Sequence, residues 1–304
     1  MAGRAPRRSE DVPGDFSVND RCIACDTCRQ LAPETFGGTE DEMSHVAKQP
    51  VDAAERRRAL MALISCPVSA IGSLSKTGMG EATGALPTLE APGVLRCGYA
   101  SETTAGAASW LILRPEGNVL VDSPRFAVPL ARRFHALGGV SLLFLTHRDD
   151  VGDHARWARE FGCPRVLHDR DLTADTRGIE RPLCGDEPVP LAPDLLAIPV
   201  PGHTAGSTAL LHVRSQDPRG GPYLFTGDHL FAEADGRLHA SRAVCWWSWA
   251  AQAHSMARLA ALEFEWVLPG HGRPFRASAM ETRRAVAELA AEMAAGAGKD
   301  AQER

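Results

Sequence analysis

The chain has 304 residues, 44% hydrophobic and 23% charged, with a formal net charge of −5. That composition is near the globular average and excludes global disorder, while the acidic balance leaves no basic footprint for nucleic acid or an anionic membrane. The longest apolar runs, such as Ser141 to Thr146 and Leu195 to Pro201, fall far short of the roughly 18–20 residues of a membrane-spanning helix.

Taken in chain order, Met1 to Pro13 carries arginines at 4, 7 and 8, followed by Ser9-Glu10-Asp11 where a secretory signal would have an apolar core. It reads as a short disordered leader. Residues 15–75 are cysteine-marked, with an acidic middle at Glu40-Asp41-Glu42. Residues 76–92 are rich in Gly, Thr, Ala and Pro without hydrophobic period, which predicts a linker. Across residues 93–295, β-like runs alternate with helical patterns. Strands are predicted at Val94–Tyr99, Ser109–Leu113, Val119–Asp122, Leu142–Thr146, Arg165–His168, Leu195–Val200, Thr208–Val213, Tyr223–Thr226 and Trp266–Leu268. Helices are predicted at Val128–Leu137, His154–Phe161, Trp249–Leu262 and Ser278–Ala294. Such a layered domain carries its chemistry on loops at strand ends. Residues 296–304 are small and polar and are expected to fray.

Four of the eight cysteines form a set: Cys22, Cys25, Cys28 and, far downstream, Cys66 followed by Pro67. With no export signal, clustered thiols point to a metal or cluster in a reducing compartment, and a cytoplasmic location is expected. The scattered four (Cys97, Cys163, Cys184 and Cys245) read as buried small hydrophobes. A tight loop presents three thiolates, and a returning chain supplies the fourth, with proline fixing its exit. Two-cluster ferredoxins continue the triple with C-P three residues on; Ala32-Pro33 stands there, which removes a second cluster. Structural zinc is the alternative occupant, although its usual pattern is two separated pairs. With Ala32-Pro33-Glu34-Thr35-Phe36 and Cys66-Pro67-Val68-Ser69-Ala70-Ile71, the stretch resembles a single-cluster bacterial-type [4Fe–4S] ferredoxin over about 60 residues.

A second constellation runs through Leu145-Thr146-His147-Arg148-Asp149-Asp150-Val151-Gly152-Asp153-His154, Pro201-Gly202-His203, Phe225-Thr226-Gly227-Asp228 and Leu268-Pro269-Gly270-His271-Gly272. Each piece follows a strand-like run and turns at glycine or proline. Imidazoles and carboxylates without cysteine suit zinc, iron or manganese. His45, His135, His168, His212, His239 and His254 fall outside these pieces and read as surface or hydrogen-bonded core.

In this order and spacing, the four pieces resemble the metallo-β-lactamase superfamily across some 200 residues. The resemblance implies an αββα sandwich after the small ferredoxin-like domain, an α+β chain as a whole, with Asp122 as a structural support. The superfamily motif is H-x-H-x-D-H. Carried over, His147 is its first histidine and Asp153-His154 its closing pair, with two extra residues before Asp153. Asp149 stands where the second histidine should be, and Asp150 is its substitute. The resemblance then assigns one metal to His147, Asp149 and His203, and a second to Asp153, His154 and His271. Asp228 bridges them, and Asp153 and Asp228 are the expected catalytic carboxylates. The insertion could instead splay the loop and leave one metal position empty. So anionic a set favours iron or manganese. Flavodiiron proteins also carry a carboxylate at the second motif position, but this chain has no flavodoxin domain.

Metal-assisted hydrolysis needs a Lewis acid but no electrons, whereas a ferredoxin cluster moves one electron. Covalent fusion raises the effective concentration of donor to acceptor to roughly millimolar. The favoured reading is a redox metalloenzyme whose [4Fe–4S] ferredoxin feeds a site of one or two metal ions, iron before zinc or manganese. The first alternative is a hydrolase of an ester, thioester or lactone-like substrate with a structural or sensing cluster. The second is an electron carrier with a degenerate metal site. Expected partners are a small-molecule substrate, an external electron donor and a further copy of the chain, with no nucleic acid and no membrane. Cys245-Trp246-Trp247-Ser248-Trp249 reads either as pocket lining or as a packing edge, and His229 as a support to Asp228 or an exposed residue. The ferredoxin is expected to pack on the motif-bearing face, near these tryptophans.

Overall fold

The computed structural model describes residues 6–213 and 220–302. No described helix is long and apolar enough to cross a membrane. Residues 6–13 are part of the first domain and not a disordered leader; residues 1–5 lie outside the described residues. The Asp11 carboxylate is buried, accepts from the amides of Val18 (2.8 Å) and Val46 (2.6 Å), and pairs with Arg7 at 3.3 Å. One acidic residue has no periodicity, so composition alone does not reveal this role.

Two antiparallel pairs, Phe16–Val18 with Ile71–Ser73 and Phe36–Gly38 with Ser44–Val46, enclose the helices Thr27–Leu31 and Ala53–Ser65. Asp52 caps the longer helix by accepting from the Glu55 amide at 2.8 Å. Phe16, Val18, Phe36 and Leu60 fill the middle.

The expected linker is folded. Residues 76–92 contain a helix, Met79–Gly84, and a strand, Thr88–Ala91, which pairs antiparallel with Val94–Arg96 and becomes an edge of the first large sheet. A four-residue edge strand is too short to display alternation, and it read as loop for that reason.

That sheet has seven strands in the order Arg181–Leu183, Arg165–His168, Leu142–Phe144, Val119–Val121, Trp110–Ile112, Val94–Arg96 and Thr88–Ala91. The second has six: Val189–Ala192, Leu195–Pro199, Thr208–His212, Tyr223–Gly227, Trp266–Pro269 and Phe275–Arg276. Their facing sides share one core, in which Trp110, Ile112, Val119, Val121, Leu142 and Phe144 meet Leu195, Leu210, Tyr223 and Phe225. Alternate residues point outward. Leu111, Leu120 and Leu143 pack with the helices Val128–Ala136 and His154–Phe161, whereas Ile198 and Leu224 pack with Trp249–Leu259 and Ala279–Gln302. The layers are therefore helix, sheet, sheet, helix. Both faces of each sheet are covered, so the strands read as continuous apolar runs. The last helix runs to Gln302, into the expected tail, because the residues around Gly296 and Gly298 are strong helix formers.

Parallel pairing sets the site. Val119–Val121, Leu142–Phe144 and Arg165–His168 run parallel through two helical crossovers, and Tyr223–Gly227 runs parallel to Trp266–Pro269. The loops that follow these strands gather at one edge of the sandwich. The ferredoxin core also runs unbroken into the outer layer of the first sheet, with Phe16 and Leu60 in the same cluster as Leu111 and Trp157.

Asp11→Ala strands two buried amides, and we expect it to destabilise the protein by about 2–3 kcal/mol. Denaturant unfolding of the cluster-loaded protein measures this, and an unchanged midpoint would remove Asp11 as an anchor.

Candidate functional site

The four sulfurs of Cys22, Cys25, Cys28 and Cys66 face one small cavity walled by Val18, Val68, Ala70 and Ile71. The Ser44 amide donates to Cys22 Sγ at 3.4 Å and the Ala70 amide to Cys66 Sγ at 3.2 Å. Burial, and then the neighbouring cysteines, push the Cys28 thiol up to about 12 and raise Cys25 as well. Four thiols crowded in an apolar hole, with amides aimed at two of the sulfurs, fit a bound cationic cluster.

At the strand ends, His147, Asp149 and His203 form one group, and His147, Asp150 and Asp228 form another; within each, the ligand atoms lie within 4.8 Å of one another. His203 Nε2 is 3.2 Å from Asp149 Oδ2, and His147 Nε2 is 3.8 Å from Asp228 Oδ2 and 4.0 Å from Asp150 Oδ2. His271 Nδ1 reaches both Asp228 oxygens, at 2.8 and 2.9 Å. Gly227, at φ +50°, lets the third loop touch the first, because a Cβ there would collide with Thr146 Oγ1.

Asp153 and His154, expected as ligands of the second metal, are not brought to this cluster. Asp153 precedes the helix His154–Phe161, and its Oδ2 accepts from the Phe126 amide at 2.7 Å. His154 Nδ1 lies 3.2 Å from the Arg165 guanidinium, and burial followed by that cation lowers its pKa. The inserted Val151-Gly152, with Gly152 at φ +40°, carries the chain past the loop before the pair appears. Asp150, held as a substitute for Asp149, enters alongside it instead. It is 1% exposed, and both of its oxygens lack a hydrogen-bond partner among the described residues.

Supporting residues orient these groups. Asp122 accepts from the Thr146 amide (2.8 Å) and hydroxyl (2.9 Å), and Thr146 Oγ1 lies 3.0 Å from His147 Nδ1. With the hydroxyl proton committed to Asp122, its oxygen accepts from His147 Nδ1–H, which leaves the bare Nε2 facing the cluster. Asp171 was not evident in the sequence. It accepts from the Arg148 amide (3.0 Å), Thr204 Oγ1 (2.6 Å) and the Gly206 amide (2.8 Å), tying the first two loops together. An isolated aspartate after a strand gives no motif, so there was little signal to find it.

Burial opposes charge throughout this site. It would raise Asp228, but the His271 imidazolium overrides it and holds that carboxyl well below the usual range. His271 is pushed up to about 10, burial again being overcome by Asp228. Asp150 is raised far above an ordinary aspartate, by burial first and then by Asp228. The unpartnered His147 Nε2 and Asp150 carboxylate belong to one donor group with Asp228, where a cation would satisfy them. The residues fit a metal centre. His229 is buried, not exposed, and burial followed by His203 pushes it down to about 3.

The Cys245–Ser248 segment straps the His203 loop: the Trp246 and Trp247 amides donate to the His203 carbonyl at 2.9 and 3.1 Å. Of the scattered cysteines, Cys97 and Cys163 are buried as expected, but Cys184 is exposed and Cys245 half-buried. A cavity of about 840 Å³ has Asp149, Asp150, His203, Asp228, His271 and Trp246 on one side and Ile23, Ala24 and Cys25 on the other. The ferredoxin loop therefore faces the motif-bearing loops beside Trp246, as the sequence led us to expect. Asp26 Oδ2 accepts from Arg273 Nε at 2.9 Å, and Gln30 Nε2 donates to the Gly272 carbonyl at 3.1 Å. Gly106, at φ +87°, admits Cys25, whose Cβ would lie 2.7 Å from any Cβ placed there.

Residues 18–73 match the family described as the 4Fe-4S single cluster domain of Ferredoxin I. No curated protein is significantly similar to the chain. Similar solved structures include the metallo-β-lactamase GOB-18 from Elizabethkingia meningoseptica, at 15% identity and TM-score 0.49, covering 72% of this chain and 93% of that one. They also include BJP-1, a subclass B3 metallo-β-lactamase of Bradyrhizobium japonicum, at 16% identity and TM-score 0.48, covering 73% and 96%. The sandwich assignment stands on the sheet order and layers themselves. Residues 18–73 are a single-cluster [4Fe–4S] ferredoxin domain, joined to an αββα sandwich of the architecture that the superfamily resemblance implied.

Because His271 holds a proton at neutral pH, metal uptake by the apo-sandwich should release protons. Calorimetry at pH 7.5 in two buffers of different ionisation enthalpy should show this, and the share from His271 should vanish as pH rises through about 10. Asp150→Asn should lower metal content and Asp153→Asn should not; the reverse pattern would restore the motif assignment.

Proposed function

We propose that the protein is an oxidoreductase. In this reading Cys22, Cys25, Cys28 and Cys66 hold a [4Fe–4S] cluster, and His147, Asp149, Asp150, His203, Asp228 and His271 hold one or two metal ions, iron favoured. The observation that carries it is Cys25, at once a cluster position and part of the wall of the cavity that contains the second set of donors. When bound, the cluster supplies single electrons and the second centre a Lewis-acidic, redox-active metal.

The chain's own residues arrange this encounter. Asp26 and Gln30, inside and just after the cysteine loop, grip Arg273 and Gly272, which directly follow His271. Asp149, Asp150 and Asp228 supply hard oxygen donors, which suit iron or manganese better than a histidine-rich set does. Before a metal binds, His271 holds a proton against Asp228 at the cavity wall. An external donor reloads the cluster, and a small molecule occupies the cavity.

Protein purified anaerobically should contain iron in both places. After dithionite reduction, freeze-quenched EPR and Mössbauer spectra should show the second centre changing after the cluster. Gly106→Val, which pushes the cysteine loop away, should slow that second phase by about tenfold or more while iron content holds. Zinc at the histidine and aspartate donors, with turnover of an ester, thioester or lactone, would replace this reading with the hydrolytic one. Bound metal with no turnover of any kind would leave an electron carrier.

A further inference from the structure

The cavity between the two sets of donors is larger and more apolar than metal binding requires. Its volume of about 840 Å³ falls in the range that accommodates small organic ligands. Three of the chain's exposed large apolar side chains border it: Ile23 at 41%, Val244 at 36% and Trp246 at 60% exposure. They come from distant parts of the chain, Ile23 from the cysteine loop and the other two from the strap over His203. Ile23 lines the small cavity of the four cysteines and also borders the larger one, where its exposed part faces outward. Beside the metal donors, an isoleucine and an indole offer apolar faces to the same ligand.

The polar lining narrows the ligand further. Arg148 is the only guanidinium that borders the cavity among the described residues, and no lysine does. Its side chain is 41% exposed, with Nε 3.8 Å from Asp149 Oδ1. Thr103, Thr104 and Ser241 add hydroxyls to the wall. One guanidinium in a wall that also carries Asp149, Asp150 and Asp228 suits a monoanion better than a more highly charged ligand.

We propose that this cavity binds a small aromatic carboxylate, its ring between Ile23 and Trp246 and its carboxylate toward Arg148 and the metal donors. The ferredoxin loop is then part of the substrate pocket, and Ile23 is a specificity-determining residue. The proposal rests on the cavity being the reaction site, not on the reaction being a redox one.

The test uses the metal- and cluster-loaded protein with both centres oxidised, so that it needs no electron transfer. The probe is 2-naphthoate, followed by tryptophan fluorescence and calorimetry, with acetate and 2-naphthalenemethanol as controls. Saturable binding about tenfold or more tighter than either control is expected. Ile23→Ala, Trp246→Ala and Arg148→Gln should each weaken it by a similar factor without changing metal content, and Met280→Ala, exposed elsewhere, should not. The EPR line shape of the reduced cluster should also shift on adding naphthoate, because Cys25 shares the wall. Naphthoate binding no tighter than acetate would reduce the site to carboxylate ligation of metal, and equal binding of the alcohol would remove Arg148; either overturns the proposal. Unchanged affinity in both Ile23→Ala and Trp246→Ala would do the same. Loss of binding with intact electron transfer, or the converse, separates this proposal from the redox reading.

Discussion

Three carboxylates and three imidazoles meet at the edge of the sandwich with too few partners to satisfy them. Asp150 has both oxygens bare, and the unpaired His147 Nε2 lies 4.0 Å from one of them. Ion pairing relieves only part of the strain, since His271 can neutralise Asp228 but leaves Asp150 buried, its pKa raised by burial and by Asp228. Much of the local structure holds this uncomfortable arrangement in place. Asp122 fixes His147 through Thr146, Asp171 clamps the first two loops together, and Gly227 lets the third approach. A divalent ion held there would exchange the His271 proton for coordination and give the Asp150 carboxylate a partner.

The second constraint is the seam. Ferredoxin and sandwich meet through the same loops that carry the donors: Asp26 sits within the cysteine motif, and Arg273 two residues after His271. The contact therefore fixes the spacing of the two centres through short stretches of backbone. A tether alone would raise local concentration, but this seam also sets orientation.

Much of this was legible in the sequence because its signals were dense. The cysteine triple with Cys66-Pro67 stood out by spacing, and the interior strands, apolar for three to five residues, lie close to their expected bounds. His154–Phe161 matches its expectation residue for residue. What escaped was short or singular. Thr88–Ala91 and Phe275–Arg276 are edge strands too brief for a period, and Asp11 and Asp171 are single buried carboxylates whose partners are distant backbone amides. The motif comparison located the loop but misassigned its end. A two-residue insertion preserved the letters of Asp153-His154 while moving them onto a helix, and no pattern of letters reports where a backbone turns.

The unbroken core that joins Phe16 and Leu60 to Leu111 and Trp157 makes the cluster more than an accessory. In a chain of independent modules, oxygen could destroy the iron–sulfur centre and spare the rest. Here the four cysteines face one small cavity, and the apolar core beneath them continues into the outer covering of the first sheet. Loss of a cluster held there would loosen that covering and the wall of the adjoining cavity with it. Oxidative damage at the cysteines would then be felt at the other set of donors, as a change in solvent access.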